Sequence, residues 1–559
     1  MDLLLTLGHN SSAIGISNNG NIFGYEEERF TRHKSESSFP KNSIVKILVE
    51  NSAEYINNVY ISHWYDNFDF LNEEKYNLKH WDYKFFKNKL KLVTLSKNFT
   101  HHDAHAYSVL KYYNDNAKGL SSDGYHIIVA DGFGNLQEVV SIYLCKNNIP
   151  ELVDRFYGYN NSLGLLYQYA TSFCGMKEHQ DEYKFLGYES KIQSTRHIEI
   201  LNNISDKAVE NMLNSMILSR SPKRENEYIN LNDLNSAKSL FINTYNSVLK
   251  ITETKDYIDH FKKTVIGYFV QAVVEKVMNS IIEKYNIKKL MLSGGLFYNV
   301  KLNNQLSKQV DSICVNPLAG DQGASIGLYY KYNPTSKFKY DNLFWGKRYL
   351  DCNFSKIQDN KHICYSNNKE IFADIIVAKL RNNEIVNVVC GNMEFGPRAL
   401  CHTSTLALPT SENVYIINQL NCRDTVMPMA PVILAEDKDY FFRQYNNIIG
   451  SDKHMIIACD YNHDIDCKNN LYNGIVHNYP YPNDFIYSGR PQIIYDNNHY
   501  IYSVLKKLDI KALINTSFNV HGKPVVFSID QALDDFNFQL KQKEINNIKK
   551  PVNLVIGDF

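Results

Sequence analysis

Four times along this chain an apolar run stops at a short loop that carries glycine. LLLTLGHNSS opens the sequence, YHIIVADGFGN follows at 125–135, KKLMLSGGLFYNV at 288–300 and SICVNPLAGDQGASIGLYY at 312–330. A buried strand followed by a tight turn reads this way. In α/β folds ligands bind most often at such strand ends. Between 235 and 285 the pattern changes. SAKSLFINTYNSVLK and HFKKTVIGYFVQAVVEKVMNSIIEKY carry apolar residues at helical spacing, with no internal proline. Strands ending in glycine loops, with helices to pack on them, predict an α/β fold.

The 559 residues are too many for one core. The loop-like stretch NPTSKFKYDNLFWGKRY suggests a boundary between a first unit at 1–345 and a second at 346–559. In the first, AIGIS and IFGYEEE flank NNGN, a strong hairpin signal. In the second, IFADIIVAKLRNN reads as a helix, EIVNVVCG as a strand, and another helix starts at 529. The second unit is therefore α/β as well.

Sixty basic and sixty acidic side chains give zero formal charge, so no basic excess advertises nucleic acid. The ten cysteines form no CxxC pair, which speaks against a zinc ribbon and fits a reduced, cytoplasmic protein. MDLLLTLGHN is a poor signal peptide, and no run of 18 apolar residues predicts a membrane span.

The most suggestive cluster is THHDAHAYSVL at 100–110. His101 and His105 stand four apart, on one face of a helix. Asp131 in ADGFG and Asp321 in AGDQG end apolar runs. Two imidazoles and two carboxylates suit Fe, Zn or Mn, with positions left open for substrate oxygens. The alternative for each Asp is a turn-forming residue before glycine. Ser293, Gly294 and Gly295 let backbone N–H groups approach a phosphate, but equally form a tight turn. EEERFTR (26–32) reads as a solvated charge run. Arg398, Arg423, Arg490 and Ser517 form a polar set suited to phosphate, although each arginine alone is more often a surface ion-pair residue.

GHNSSA, EEERFTR, HHDAHA, ADGFG, SLGLLYQYAT, LSGGLFYN, NPLAGDQGASIG, EFGPRAL, MPMAP and NTSFN run in order from residue 8 to 519. Together they resemble the O-carbamoyltransferase family that includes the tobramycin, cephamycin and nodulation-factor enzymes. The resemblance implies an actin-like ATPase domain, akin to threonylcarbamoyl-transferase subunits, followed by a YrdC-like domain. It implies that ATP and carbamoyl phosphate form carbamoyl adenylate in the second domain. The carbamoyl group then passes to an acceptor hydroxyl in the first, near Fe2+ or another divalent metal, with Mg2+ as a further cation. Carried over, the metal ligands are His101, His105, Asp131 and Asp321. The adenylate site includes Ser293, Gly294, Gly295 and Asn299, with Arg398, Arg423, Arg490 and Ser517 from the second domain. His9 in GHNSSA falls at the family's histidine near the transferred group and is the general-base candidate. The alternative for His9 is a turn residue held by Asn10 or Ser11.

Three positions depart from the family wording. Thr403 stands where an Arg often does, Asn421 replaces a Lys, and Met427 replaces another Arg. Each charge-assisted phosphate contact contributes on the order of 1.5–3 kcal/mol, so the activation site must be rebuilt or weak. The wording resembles a divergent, phage-associated branch. That makes a hydroxymethylated pyrimidine nucleotide or DNA base an acceptor to weigh beside a sugar or a natural product. The competing readings are threonylcarbamoyl transfer to tRNA and a non-activating partner subunit. The fused second unit and EEERFTR argue against the first, and the three departures motivate the second. Oligomeric state is not written in the residues.

Overall fold

The computed structural model describes residues 1–51, 56–62, 91–96, 98–192, 194–222, 230–253, 259–347, 360–423, 429–443, 447–462, 471–480 and 485–559. Among these residues the strands form four sheets. The first holds β1 (Asp2–Thr6), β2 (Ser12–Ile16), β3 (Ile22–Glu26), β4 (Asn58–Ser62) and β5 (Lys91–Thr94), in the order β3-β2-β1-β4-β5. The second holds β6 (His126–Ala130), β7 (Glu138–Lys146), β8 (Ile149–Tyr157), β9 (Lys289–Ser293) and β10 (Ser312–Val315), in the order β10-β9-β6-β7-β8. In both, a three-stranded antiparallel meander is extended on its first strand by two parallel strands. One pattern repeated twice in this way is the actin-like ATPase fold.

The hairpin read from NNGN joins β2 to β3, with Gly20 N–H donating to the Ser17 carbonyl at 2.9 Å. The two helical segments appear as Leu231–Ile251 and Asp259–Lys284. Within the latter, His260–Lys284 is the helix, among the described residues, long and apolar enough to cross a membrane. Of its apolar stretch, 67% is buried within the protein.

The second part is also α/β. Strands β11 (Ile363–Ser366), β12 (Ile385–Cys390), β13 (Thr403–Ala407) and β14 (Ala430–Leu434) join Gln492–Ile494, Ala512–Ser517 and Val552–Gly557 in a seven-stranded mixed sheet. Helices Lys369–Arg381 and Ile529–Ile545 match those read from the sequence. Residues 348–359, at the expected boundary, lie outside the described residues. Apolar packing runs across that boundary: one buried cluster contains Ile128 and Ile313 together with Ile433, Ile456 and Ile457.

EEERFTR is not a solvated charge run. Glu26, Glu27 and Arg29 are buried. The Glu27 carboxylate accepts hydrogen bonds from the Asn42 side chain and from the Ser43 backbone and hydroxyl, which satisfies its charge inside the protein.

Candidate functional site

Helix His101–Asn116 begins with a reciprocal cap: Thr100 Oγ1 accepts from Asp103 N–H, and the Asp103 carboxylate accepts from Thr100 N–H at 2.7 Å. This fixes the first turn, which carries His101 and His105 on its inner face. Helix Ala324–Tyr332 packs directly on it. A Cβ at Gly327 would stand 1.7 Å from the Ala104 carbonyl oxygen, so only glycine allows this approach. Asp321, in the turn before that helix, is thereby brought against both imidazoles. Asp131 follows β6 and completes the cluster.

One ligand atom from each of His101, His105, Asp131 and Asp321 lies within 4.8 Å of every other. His101 Nε2 is 3.1 Å from His105 Nε2, 3.2 Å from Asp131 Oδ2 and 3.3 Å from Asp321 Oδ1. His105 Nε2 is 3.4 Å from Asp131 Oδ2 and 3.7 Å from Asp321 Oδ1. Donors held about 2.0–2.3 Å from one cation stand about 3–3.7 Å apart, and the five separations above match that spacing. Burial opposes charge on His101, but hydrogen bonds and charge from Asp131 and Asp321 outweigh it and raise its pKa to about 10. Burial likewise opposes charge on the two carboxylates, yet the imidazoles hold both below their usual range.

A cavity of about 370 Å³ lies between the two parts of the chain. Arg398, Arg423, Arg490 and Ser517 line it, with Asn10, His179 and Gln322 from the neighbourhood of the His101–His105–Asp131–Asp321 cluster. Arg423 is held by Thr516 Oγ1 at 2.9 Å and by the Ser517 carbonyl at 2.7 Å. Arg398 Nε is buried, with no hydrogen-bond partner among the described residues. Burial pushes all three guanidinium groups below their ordinary range, and the Arg398 charge adds to this at Arg490. Among the described residues no carboxylate pairs with any of the three. Gathering such charges is costly unless an anion joins them.

A carbamoyltransferase N-terminal family model matches residues 68–329, and a carbamoyltransferase C-terminal model matches 377–547. The chain belongs to the carbamoyltransferase family. It is 26% identical over 551 residues to an uncharacterized protein of Methanocaldococcus jannaschii, covering 95% of each chain. It is 23% identical over 576 residues to nodulation protein NolNO of Sinorhizobium fredii, covering 96% of this chain and 78% of that one. Among solved structures, full-length HypF in its phosphate- and nucleotide-bound form aligns with a TM-score of 0.28 and 13% identity, covering 60% of this chain and 56% of that one. That likeness is too loose to bear on the site.

In this carbamoyltransferase the remaining sequence-selected residues fall into two groups. His9 is exposed, with Nε2 3.9 Å from Asp321 Oδ2 and its ring 4.8 Å from that of His179. Ser293, Gly294, Gly295 and Asn299 do not line the cavity. Ser293 is fully buried, its Oγ 3.3 Å from His105 Nδ1 and 3.2 Å from Asn316 Nδ2. Gly295 N–H donates to Asp131 Oδ1 at 3.3 Å, and a Cβ on Gly294 would stand 2.3 Å from the Ala130 carbonyl oxygen. Asn299 caps helix Val300–Ser307 and exchanges hydrogen bonds with Gln271. The glycine loop therefore packs on the strand end that carries Asp131.

Two of the three departures sit in the protein interior. Thr403 is buried and donates its hydroxyl to Glu394 at 2.8 Å. Asn421 is buried, donating to the Ile417 carbonyl and accepting from Gln539. Neither lines the cavity. Met427 lies outside the described residues. Lys523, which the sequence offered beside the three arginines for a rebuilt site, lines it with its ammonium 3.3 Å from Asp535; Lys34, two residues beyond EEERFTR, lines it too and was not revealed by any motif. His179, Tyr183 and His521 line it too, and only the fold brings them there.

Proposed function

We propose that this carbamoyltransferase forms carbamoyl adenylate from ATP and carbamoyl phosphate and transfers the carbamoyl group to an acceptor hydroxyl: water cleaves carbamoyl phosphate to carbamate and phosphate, the carbamate oxygen bonds to the α-phosphorus of ATP, and pyrophosphate leaves. The observation that carries this reading is the single cavity. It gathers Arg398, Arg423 and Arg490 at one side and residues adjoining the His101–His105–Asp131–Asp321 cluster at the other. In this reading residues 346–559 carry activation in a YrdC-like domain and residues 1–345 carry transfer.

The three guanidinium groups bind phosphate oxygens and offset the charge of the nucleotide. Ser517 and Asn519 hold Arg423 so that its fork is set before the ligand arrives. In the transfer step the acceptor oxygen bonds to the carbamoyl carbon, the bond from that carbon to the adenylate oxygen breaks, and AMP leaves. His9 takes the acceptor's proton. His101, His105, Asp131 and Asp321 would hold a divalent cation, Fe2+ in the family reading, and that cation would supply positive charge toward phosphate oxygens.

Incubating the purified chain with ATP and carbamoyl phosphate should release pyrophosphate, and Arg398→Ala should abolish that release. Absence of release by the wild-type chain, with transfer from supplied carbamoyl adenylate intact, would assign activation to another protein. The replaced cations at Thr403 and Asn421 are the observation that keeps this second reading in view.

A further inference from the structure

We propose that the buried Glu26–Arg29 pair is a positioning device through which the first part of the chain sets Arg398 in the cavity. This rests on the reading of Arg398 as an anion-binding group. Glu26 is the last residue of β3 and Arg29 lies in the short helix Glu28–Thr31. Their side chains are 3% and 2% exposed, and Glu26 Oε2 meets Arg29 Nη2 at 2.5 Å. Both also hold the same residue of the second part. Gly396 N–H donates to Glu26 Oε2 at 3.2 Å, and Arg29 Nη2 donates to the Gly396 carbonyl at 2.8 Å. An ion pair that binds both polar groups of one residue fixes that residue's place and orientation together. Gly396 stands two residues before Arg398.

The rest of the loop transmits this constraint. The Glu394 carboxylate accepts from the N–H groups of Leu400, His402 and Thr403 at 2.8–2.9 Å, closing the segment 394–403 on itself. Gly396 has φ +104°, and a Cβ there would stand 2.6 Å from a Leu318 methyl, three residues before Asp321. The segment that presents Arg398 is thus cinched from within by Glu394. From outside it is held by the Glu26–Arg29 pair and by the wall of the Asp321 turn. Little remains that could change the distance from Arg398 to the metal-ligand cluster. Arg29 also lines the cavity, but it is paired with Glu26 and has Glu28 Oε1 at 3.4 Å from Nη1, so its charge is offset, whereas Arg398, Arg423 and Arg490 have no carboxylate partner among the described residues.

The test uses the full-length chain and ATP. Arg29→Lys keeps the charge but is shorter and lacks the planar guanidinium, so it does not reproduce the position from which Nη2 serves the Glu26 carboxylate and the Gly396 carbonyl together. ATP binding by calorimetry should weaken roughly 10–100-fold. Bound metal should stay unchanged. In a double-mutant cycle with Arg398→Ala the two losses should be strongly non-additive, because both remove one contact. Gly396→Ala, which displaces the same loop while leaving the Glu26 and Arg29 side chains unaltered, should behave likewise and serves if Arg29→Lys does not fold. Wild-type ATP binding by a folded Arg29→Lys or Gly396→Ala chain overturns the proposal, as do additive losses. If Arg398→Ala alone leaves ATP binding intact, the anion-site reading itself is wrong and the positioning claim falls with it.

Discussion

His101 and His105 point their Nε2 atoms at each other across 3.1 Å. Two imidazole lone pairs that close repel unless a proton or a cation sits between them. The carboxylates of Asp131 and Asp321 flank the same point. We expect His105→Ala to lower bound divalent metal by at least about tenfold while the chain stays folded, as measured by mass spectrometry of the purified protein. Unchanged metal content would remove these four residues from the metal assignment.

Ser293 Oγ stands 3.3 Å from His105 Nδ1, and Asn316 Nδ2 donates to the same hydroxyl at 3.2 Å. A cation on Nε2 would leave His105 Nδ1–H to donate to Ser293 Oγ. Ser293→Ala should weaken metal affinity about 10–100-fold in a chelator competition and leave ATP affinity unchanged. A loss of ATP affinity with metal affinity intact would return Ser293 to the phosphate role read from the sequence.

Thr403 occupies a position where a cation is common in the family, yet its hydroxyl serves Glu394. Thr403→Val should cost about 1.5–3 kcal/mol of stability, the range for a hydrogen bond to a charged group, in chemical denaturation. Thr403→Arg should destabilise further without tightening ATP binding, since the buried side chain does not line the cavity. Tighter ATP binding by Thr403→Arg would show that the position does face the anion site.

His454 is 4% exposed, and neither ring nitrogen has a hydrogen-bond partner among the described residues. Burial, with the Lys453 charge beside it, lowers its pKa to about 3. The unfolded chain therefore binds this proton more readily than the folded one. The folded state keeps its full advantage above pH 6.5 and loses it as pH falls from about 6.5 toward 3, by up to roughly 1.4 kcal/mol per pH unit. Denaturation midpoints at several pH values should fall less steeply with acid in His454→Phe than in wild type. Equal slopes would show that His454 is solvated or partnered.

Much of the local structure was legible because it depends on neighbours in sequence. Apolar runs against glycine loops marked β6, β9 and β10, and helical spacing marked Leu231–Ile251 and Asp259–Lys284. EEERFTR misled because its charges are adjacent in sequence while their partners are not. Arg29 is satisfied partly by Gly396, 367 residues away, and Arg32 by Asp535 at 2.7 Å.

The sequence by itself determined the fold class, the family and the residue types that could bind a cation or a phosphate. Those follow from local periodicity, glycine placement and ordered motifs, all of which are written in one dimension. Only the tertiary structure decided which of these residues share a site. It set Asp131 and Asp321, 190 positions apart, against His101 and His105. It turned Ser293 and Asn299 away from the cavity and brought Arg398, Arg423, Arg490 and Lys34 to one surface. The physical reason is that charge and hydrogen bonding act over a few ångströms of space. Helix-on-helix packing at Gly327 and the grip on Gly396 create those distances, and neither contact is visible from the neighbours of either glycine in the chain.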